Sequence, residues 1–245
     1  MPSWSRFWRQ IARRRIRRAW GLASDGQGWA LVGLSFHNLL GVRVQSLEKI
    51  LPTGADHPGV GFGDGLSQVG VRSRERVSVA LAEHEVMAGV LELPAQMSRD
   101  DWSSEVQLEV AQVLGLAPDQ VNFDFQVDPV SEGLLTRLHW VGCEQSRIRA
   151  IRDSVRKAGW QLESVEPAWH AAHRAACHLK GGWESLITQA PQDWQFDLAV
   201  DQDQDQGQPS GGAYGELDRM LTQALQSPAG PRLVASGLAL KAWLR

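Results

Sequence analysis

The chain has 245 residues, 43% of them hydrophobic and 22% charged, with a net charge of −3 at neutral pH. That balance excludes disordered and collagen-like classes, and two cysteines, Cys143 and Cys177, exclude a disulfide scaffold and fit a reducing compartment. The longest apolar stretch, Trp29–Val42, is interrupted by Ser35, His37 and Asn38, so no spanning helix is expected; the basic start lacks the apolar core of a secretory signal, and a cytoplasmic protein is predicted.

The small net charge hides an asymmetry. Seven arginines (Arg6, Arg9, Arg13, Arg14, Arg15, Arg17, Arg18) and no acid precede residue 21, which leaves 18 basic against 28 acidic residues, a net −10, for the rest. Residues 1–20 read as a basic arm, with Trp4–Trp20 an amphipathic helix: Trp4, Phe7, Trp8, Ile11 and Ala19 share one face. Trp4, Trp8, Arg9, Arg13, Arg14 and Arg17 are its candidates for contact with an anionic membrane surface, by apolar insertion with phosphate pairing. A nucleic acid, or plain solvent around a tail, would also suit these residues, although no nucleic-acid motif occurs elsewhere.

Gly21–Gly28 reads as a linker, and Ala30–Ser35 with Leu40–Ser46 as a hairpin around His37–Asn38. Pro52–Gly70 is glycine-rich and reads as a loop. Its Gly59-Val-Gly61-Phe-Gly63-Asp-Gly65 run has phosphate-loop composition but lacks an evident strand before it and helix after it. Val77–Ala82 and Val86–Leu93 read as a second hairpin around Glu83-His84-Glu85. Ser98 with Asp101 forms a capping-box pattern, after which Trp102, Val106, Val110 and Val113 recur at helical spacing until Gly115 and Pro118. Val121–Val127 alternates like a half-buried strand, and Leu135–Cys143 is another strand. A helix over Arg147–Ala158, a strand over Trp160–Val165 and a helix over Ala168–Leu179 complete an α/β pattern. Beyond Gly181-Gly182 come a polar linker at about 201–212, a short helix over Gly215–Leu225, a turn at Pro228–Pro231 and an apolar helical segment, Val234–Trp243.

Chemistry-bearing clusters are sparse. His170, His173 and Cys177 share a helix face, with His178 beside them, but the alanines at 168, 171, 172, 175 and 176 suit close packing rather than a metal site. Cys143 follows an apolar strand and reads as a buried thiol, and no nucleophile elbow, Walker loop or zinc-protease motif is present.

Val77-Ser-Val-Ala-Leu81, Val90-Leu-Glu-Leu-Pro94, Ser98–Leu114, Val121-Asn-Phe-Asp-Phe-Gln-Val127, Val141-Gly-Cys143, the helix Ile148–Gly159, Val165-Glu-Pro-Ala168 and the ending Leu233–Lys241 resemble, in order, the PilM family of actin-like type IV pilus assembly proteins. The resemblance implies an α/β, actin-like (ribonuclease H-like) first lobe over 21–180 with a small subdomain at about 86–127. Residues 181–245 would be a degenerate remnant of a second lobe that is otherwise largely lost. It also implies a partner: the cytoplasmic tail of a PilN-like membrane protein, bound as an extended peptide in a groove that Leu93, Pro94 and Trp102 line or support. Family members carry phosphate turns of Asp-x-Gly type. Ser35 stands where the first hairpin's aspartate is expected, Asp205-Gln-Gly207 is the formal candidate for the second turn, and the adenosine turn is reduced to Pro228-Ala-Gly-Pro231. ATP and magnesium are therefore expected to be lost and no catalytic residue or metal ligand is assigned. The expected role is a non-catalytic adaptor at the inner face of an inner membrane, with an ATPase of the same family, or the related component of a type II secretion platform, as alternatives.

Overall fold

Small side chains determine where this chain packs most closely. In the computed structural model, which describes residues 18–24, 28–37, 41–50, 62–69, 75–128, 134–198 and 213–244, Ala19–Ser24 is a strand, β1. The sequence reading ended an arm helix at Trp20 and put a linker from Gly21; both are corrected. Ala19 to Ala23 are buried, and a strand covered on both faces shows no polar alternation to betray it. The rest of the arm, residues 1–17, lies outside the described residues, with Trp4, Trp8, Arg9, Arg13, Arg14 and Arg17 in it. Arg18 stacks its guanidinium 5.1 Å over the Trp20 ring.

β2 (Trp29–His37) runs antiparallel to β1, with Ser24 opposite Trp29 and Ala19 opposite Leu34. β3 (Gly41–Ile50) pairs antiparallel with β2 and forms the hairpin expected around His37–Asn38. Gly63–Gln68 is a short helix, α1, where an unbroken loop was expected; buried Phe62 precedes it, 4.7 Å from the Trp29 ring. β4 (Arg76–Leu81) lies parallel to β1. The expected hairpin between β4 and β5 (Met87–Pro94) does not form: the two strands belong to different sheets. The Glu85 carboxylate accepts from the Ala82 N–H at 2.9 Å, and the tight turn it closes at Glu83–Glu85 leads the chain out of the first sheet. There follow α2 (Arg99–Leu114), β6 (Val121–Val127), β7 (Leu135–Glu144), α3 (Gln145–Lys157), β8 (Gln161–Pro167), α4 (Ala168–His178), α5 (Ser185–Thr188), β9 (Gln195–Phe196), α6 (Ala213–Gln226) and α7 (Gly230–Leu244). α5 and β9 had no signal in the sequence reading.

The chain divides into two units, residues 1–80 with 154–245, and residues 81–153. The first is built on a sheet of order β8-β4-β1-β2-β3-β9. Strand alternation puts Ala19, Gly21 and Ala23 on one face of β1 and Trp20 and Leu22 on the other. α7 packs on the small-residue face: a Cβ on Gly21 would lie 1.9 Å from the Ala235 carbonyl oxygen. α4 lies against α7 in turn, and a Cβ on Gly237 would lie 1.7 Å from the Ala171 carbonyl oxygen. The alanines of α4 at 171, 172, 175 and 176 are buried in this core beside Leu233, Val234, Leu238 and Trp243. On the opposite face Trp20 meets Trp160 edge-on at 5.5 Å and its indole N–H donates to Glu75 at 3.0 Å.

A charged knot pins the same helices to β8. Glu166, with its side chain 8% exposed, receives both terminal nitrogens of Arg174 (2.5 and 3.0 Å) and the Lys241 ammonium (2.8 Å). Arg174 also donates to the Gly237 carbonyl at 3.0 Å. Burial opposes the Glu166 charge, but the hydrogen bonds and charges of Arg174 and Lys241 outweigh it and hold the carboxyl below its ordinary range.

Two outcomes are expected. Gly237→Ala should gain about 1 kcal/mol from helix propensity if space allowed it. Overpacking of about 1–3 kcal/mol, at a site where backbone and not a flexible side chain must yield, reverses the sign. A lowered urea midpoint for Gly237→Ala, with Gly63→Ala tolerated because its Cβ meets nothing closer than 3.5 Å, is the result that checks this. Glu166→Gln should destabilise by about 3 kcal/mol at pH 7, the low end for breaking a buried pair because Arg174 and Lys241 keep some solvent. A carboxyl depressed on folding stabilises fully above its unfolded value of 4.5, and the contribution is lost as pH falls through the folded value. Urea titrations at falling pH should therefore show wild type and variant converging in acid.

Candidate partner-binding unit

Residues 81–153 contain the three side chains singled out for partner binding. α2 is fixed at its start as the sequence reading expected: Ser98 Oγ accepts from the Asp101 N–H at 3.2 Å, and the Asp101 carboxylate accepts from Ser98 Oγ at 2.7 Å. Gly115, at φ 66°, ends it with the left-handed turn that glycine adopts at little cost. Val106, Val110 and Ala111 face a sheet of order β5-β7-β6 and pack with Val121, Leu138 and Trp140. Val113, expected on that inner face, is 45% exposed instead.

Register explains the glycines. Gly142 lies under Val110, whose Cγ1 would be 2.3 Å from an added Cβ. Gly89 stands opposite Trp140, and the Cζ2–Cε2 edge of that indole would be 2.5–2.7 Å from a Cβ there. The Trp140 ring thus spreads over β5, and its buried N–H has no acceptor among the described residues.

Leu93, Pro94 and Trp102 come together at the end of β5. Leu93 and Trp102 are half-buried against the core under α2, and the Trp102 indole donates to the Pro94 carbonyl at 3.4 Å. Pro94 is exposed and stands opposite Leu135. Trp102 is thereby an anchor of α2 as well as a surface residue. The unit is also strongly acidic: thirteen Asp and Glu against five arginines and no lysine, a net −8.

The other candidates resolve individually. Ser35 lies within β2, opposite Arg43, and not in a hairpin turn. The first antiparallel strand pair of the sheet is β1–β2, and residues 25–27 between the two strands lie outside the described residues. Ser35 therefore says nothing about a phosphate turn. Asp205-Gln-Gly207 lies outside the described residues as well. In Pro228-Ala-Gly-Pro231 the glycine answers a packing need: a Cβ on Gly230 would lie 2.1 Å from the Leu225 carbonyl oxygen. The end of the 59–65 glycine run is itself helical, because α1 begins at Gly63, but that helix is six residues long and carries Asp64 in its first turn, which disfavours a phosphate.

Among the described residues no three His, Cys, Asp or Glu side chains converge on a metal position. His173 stacks on Trp169 at 5.3 Å and meets Trp183 edge-on, with Cys177 Sγ 3.7 and 3.8 Å from its two nitrogens, while His178 donates to the Asp197 carbonyl at 2.9 Å. Cys143 is buried as expected; burial first, and the Glu85 carboxylate second, push its thiol up to about 11, so at neutral pH it is protonated and inert.

The sequence reading missed the Glu166–Arg174–Lys241 knot, whose members are 8 and 75 positions apart. It also missed the edge position of β5. Only the lack of any lysine between residues 81 and 153 hinted at a special surface.

No protein-family model matches the sequence, and no curated protein matches it. Among solved structures, the fold is similar to a chain of the PilM–PilN type IV pilus biogenesis complex, with 21% identity and a TM-score of 0.52 over 67% of this chain. The present chain spans about half, 54%, of that chain's length. More remote likenesses, on which nothing rests, are to the cytoplasmic domain of EpsL, an inner membrane component of the type II secretion system of Vibrio cholerae (17% identity, TM-score 0.44, covering 62% of this chain and 57% of that one), and to a Bacteroides thetaiotaomicron protein of unknown function with an actin-like ATPase fold (7%, 0.29, 61% and 52%). In fold the chain is PilM-like: an α/β, actin-like lobe built on a six-stranded sheet, with a second, three-stranded sheet beside it in the sequence.

Proposed function

We propose that this chain is a non-catalytic adaptor of a type IV pilus assembly platform, at the cytoplasmic face of an inner membrane, and that it holds the cytoplasmic tail of a PilN-like membrane protein. The observation that carries the reading is the fold shared with a chain of the PilM–PilN complex across two thirds of the present sequence. Supporting it is the β5–α2 corner, where Leu93, Pro94 and Trp102 are gathered with one ring held by a single hydrogen bond and Pro94 left exposed. A tail bound in extended form gains affinity from main-chain hydrogen bonds and specificity from such side-chain pockets. No helix among the described residues is long and apolar enough to cross a membrane, so the proposed attachment is through the partner, with the basic arm as a second contact to anionic lipid.

A second reading, a nucleotide-dependent member of the same family, draws on one observation. In sequence, Asp25 and Gly26 fall between β1 and β2, and aspartate and glycine are residue types that the resembling family uses at its first phosphate turn. Against it stands the formal second turn, Asp205-Gln-Gly207, which is separated from β9 and the apolar Leu198-Ala-Val200 by the polar run 201–204. The adaptor reading includes no bound nucleotide.

Titration of the full chain with a synthetic peptide of the PilN-like protein's cytoplasmic tail should give micromolar binding, about −8 kcal/mol. Trp102→Ala should weaken it, with circular dichroism confirming the fold; a folded chain that ignores the tail overturns the adaptor. Thermal melting in millimolar Mg-ATP should show no shift. A ligand at about 100 times its Kd would add about 2.7 kcal/mol, and a magnesium-dependent rise of that kind would favour the second reading.

A further inference from the structure

β5 is an edge strand whose surface is left open. Among the described residues it pairs only with β7, and within residues 81–153 no strand lies on its other side; only its last residue is engaged there, the Pro94 carbonyl accepting from the Met97 N–H at 3.1 Å and the Trp102 indole at 3.4 Å. Natural edges are blunted by lysines, central prolines or covering segments. β5 carries none of these: its one charge, Glu92, is taken by Arg137 at 2.9 Å, and its proline stands at the very end. Met87 is 47% and Val90 52% exposed, and at the far end Leu134 and Leu135 are 86% and 51% exposed. These make up four of the seven large hydrophobic side chains found exposed among the described residues, gathered along one strand and its partner's first residues. The Ala95 N–H donates to the Leu134 carbonyl at 2.9 Å, which prolongs the ladder past Pro94.

We propose that this edge accepts a fourth strand, and that the strand is a lysine- and arginine-bearing apolar segment from the cytoplasmic tail of a membrane protein. Charge selects the occupant. Two copies pairing β5 to β5 would set one unit of net −8 against another, and an acidic peptide would meet the same field; only a basic segment is attracted, and the chain's own arginine-rich residues 1–20 are the competitor of that sign. A basic strand is drawn in, its main chain completing the β5 hydrogen bonds and its apolar side chains covering Val90 on one face and Met87 on the other. Cytoplasmic segments next to a membrane span carry an excess of lysine and arginine, so such a tail has the required chemistry. The inference rests on the adaptor reading for the source of the strand, and it adds the edge and the charge.

The test uses the full chain and three probes: a ten-residue peptide alternating valine or leucine with lysine, the same peptide with glutamate for lysine, and the lysine peptide N-methylated at alternate residues. The lysine peptide should bind and slow amide exchange at alternate positions within Met87–Pro94. Binding should weaken about tenfold or more in 0.5 M salt, with glutamate for lysine, or with N-methylation. The double variant Met87→Lys/Val90→Lys, folded by circular dichroism, should lose it. Protection that falls outside β5, equal binding of the glutamate peptide, or indifference to N-methylation overturns the proposal. The native tail serves as a separate arm. If it binds without protecting β5, the adaptor stands and the edge falls; if the lysine peptide protects β5 while the native tail does not bind, the edge stands and its assignment to that tail falls with the adaptor.

Discussion

The contact between α4 and α7 at Gly237 is the constraint on which the first unit depends. Two helices approach there until one backbone nearly touches the other, and only a missing side chain permits it. The same carbonyl of Gly237 accepts from Arg174, which reaches Glu166 at the end of β8, and Lys241 from the next turn of α7 closes the knot. Apolar packing and ion pairing thus converge on one place. The apolar part supplies the larger share of stabilisation, since replacing a buried ion cluster by well-packed apolar groups is often neutral. The knot instead specifies which turn of α7 faces α4: slipping the helix by a residue would strand a buried carboxylate.

The other side of α7 repeats the theme on β1. Ala19, Gly21 and Ala23 form a flat strip that a helix can lie on, while Trp20 and Leu22 fill the far face against Trp160 and its neighbours. One strand serves two layers because its side chains alternate between almost nothing and very large. This arrangement is also why the strand is invisible in sequence. Ala-Trp-Gly-Leu-Ala-Ser has neither polar alternation nor β-branched residues, and it follows an arginine-rich segment that reads as a helix. Reading Gly21–Gly28 as a linker puts the first hairpin one strand too late and gives Ser35 a meaning that its position inside β2 does not support.

What was legible was whatever is decided locally. The α2 cap, its glycine stop, the β6 alternation and the alanine face of α4 depend on neighbours three or four residues away, and they stand where the sequence put them. Strand partnership depends on the whole sheet. Nothing in Val77–Leu93 says that its two apolar runs diverge into separate sheets, because a tight turn between strands looks the same whether the chain doubles back or crosses over. The candidate site follows the same rule: Leu93, Pro94 and Trp102, which the resemblance implies, lie together because they flank one turn, whereas the open edge beside them is a property of three strands together.

Removing the arm's arginines leaves a net −10, and −8 of it lies within residues 81–153, so the remaining residues together carry only −2. A unit of 73 residues that concentrates acid in this way works against its own folding, since like charges repel within the compact state. Local structure recovers part of that: Asp100 and Asp101 sit in the first turn of α2, where the helix dipole favours them, and Glu85 and Glu92 are paired with Arg147 and Arg137. Glu105 and Asp124 are exposed with no such offset from a helix start or an ion pair among the described residues. A net charge of about this size is ordinary for a small soluble domain, and a field that repels a like-charged edge while drawing in cations is a means of choosing partners by sign before any side chain is read.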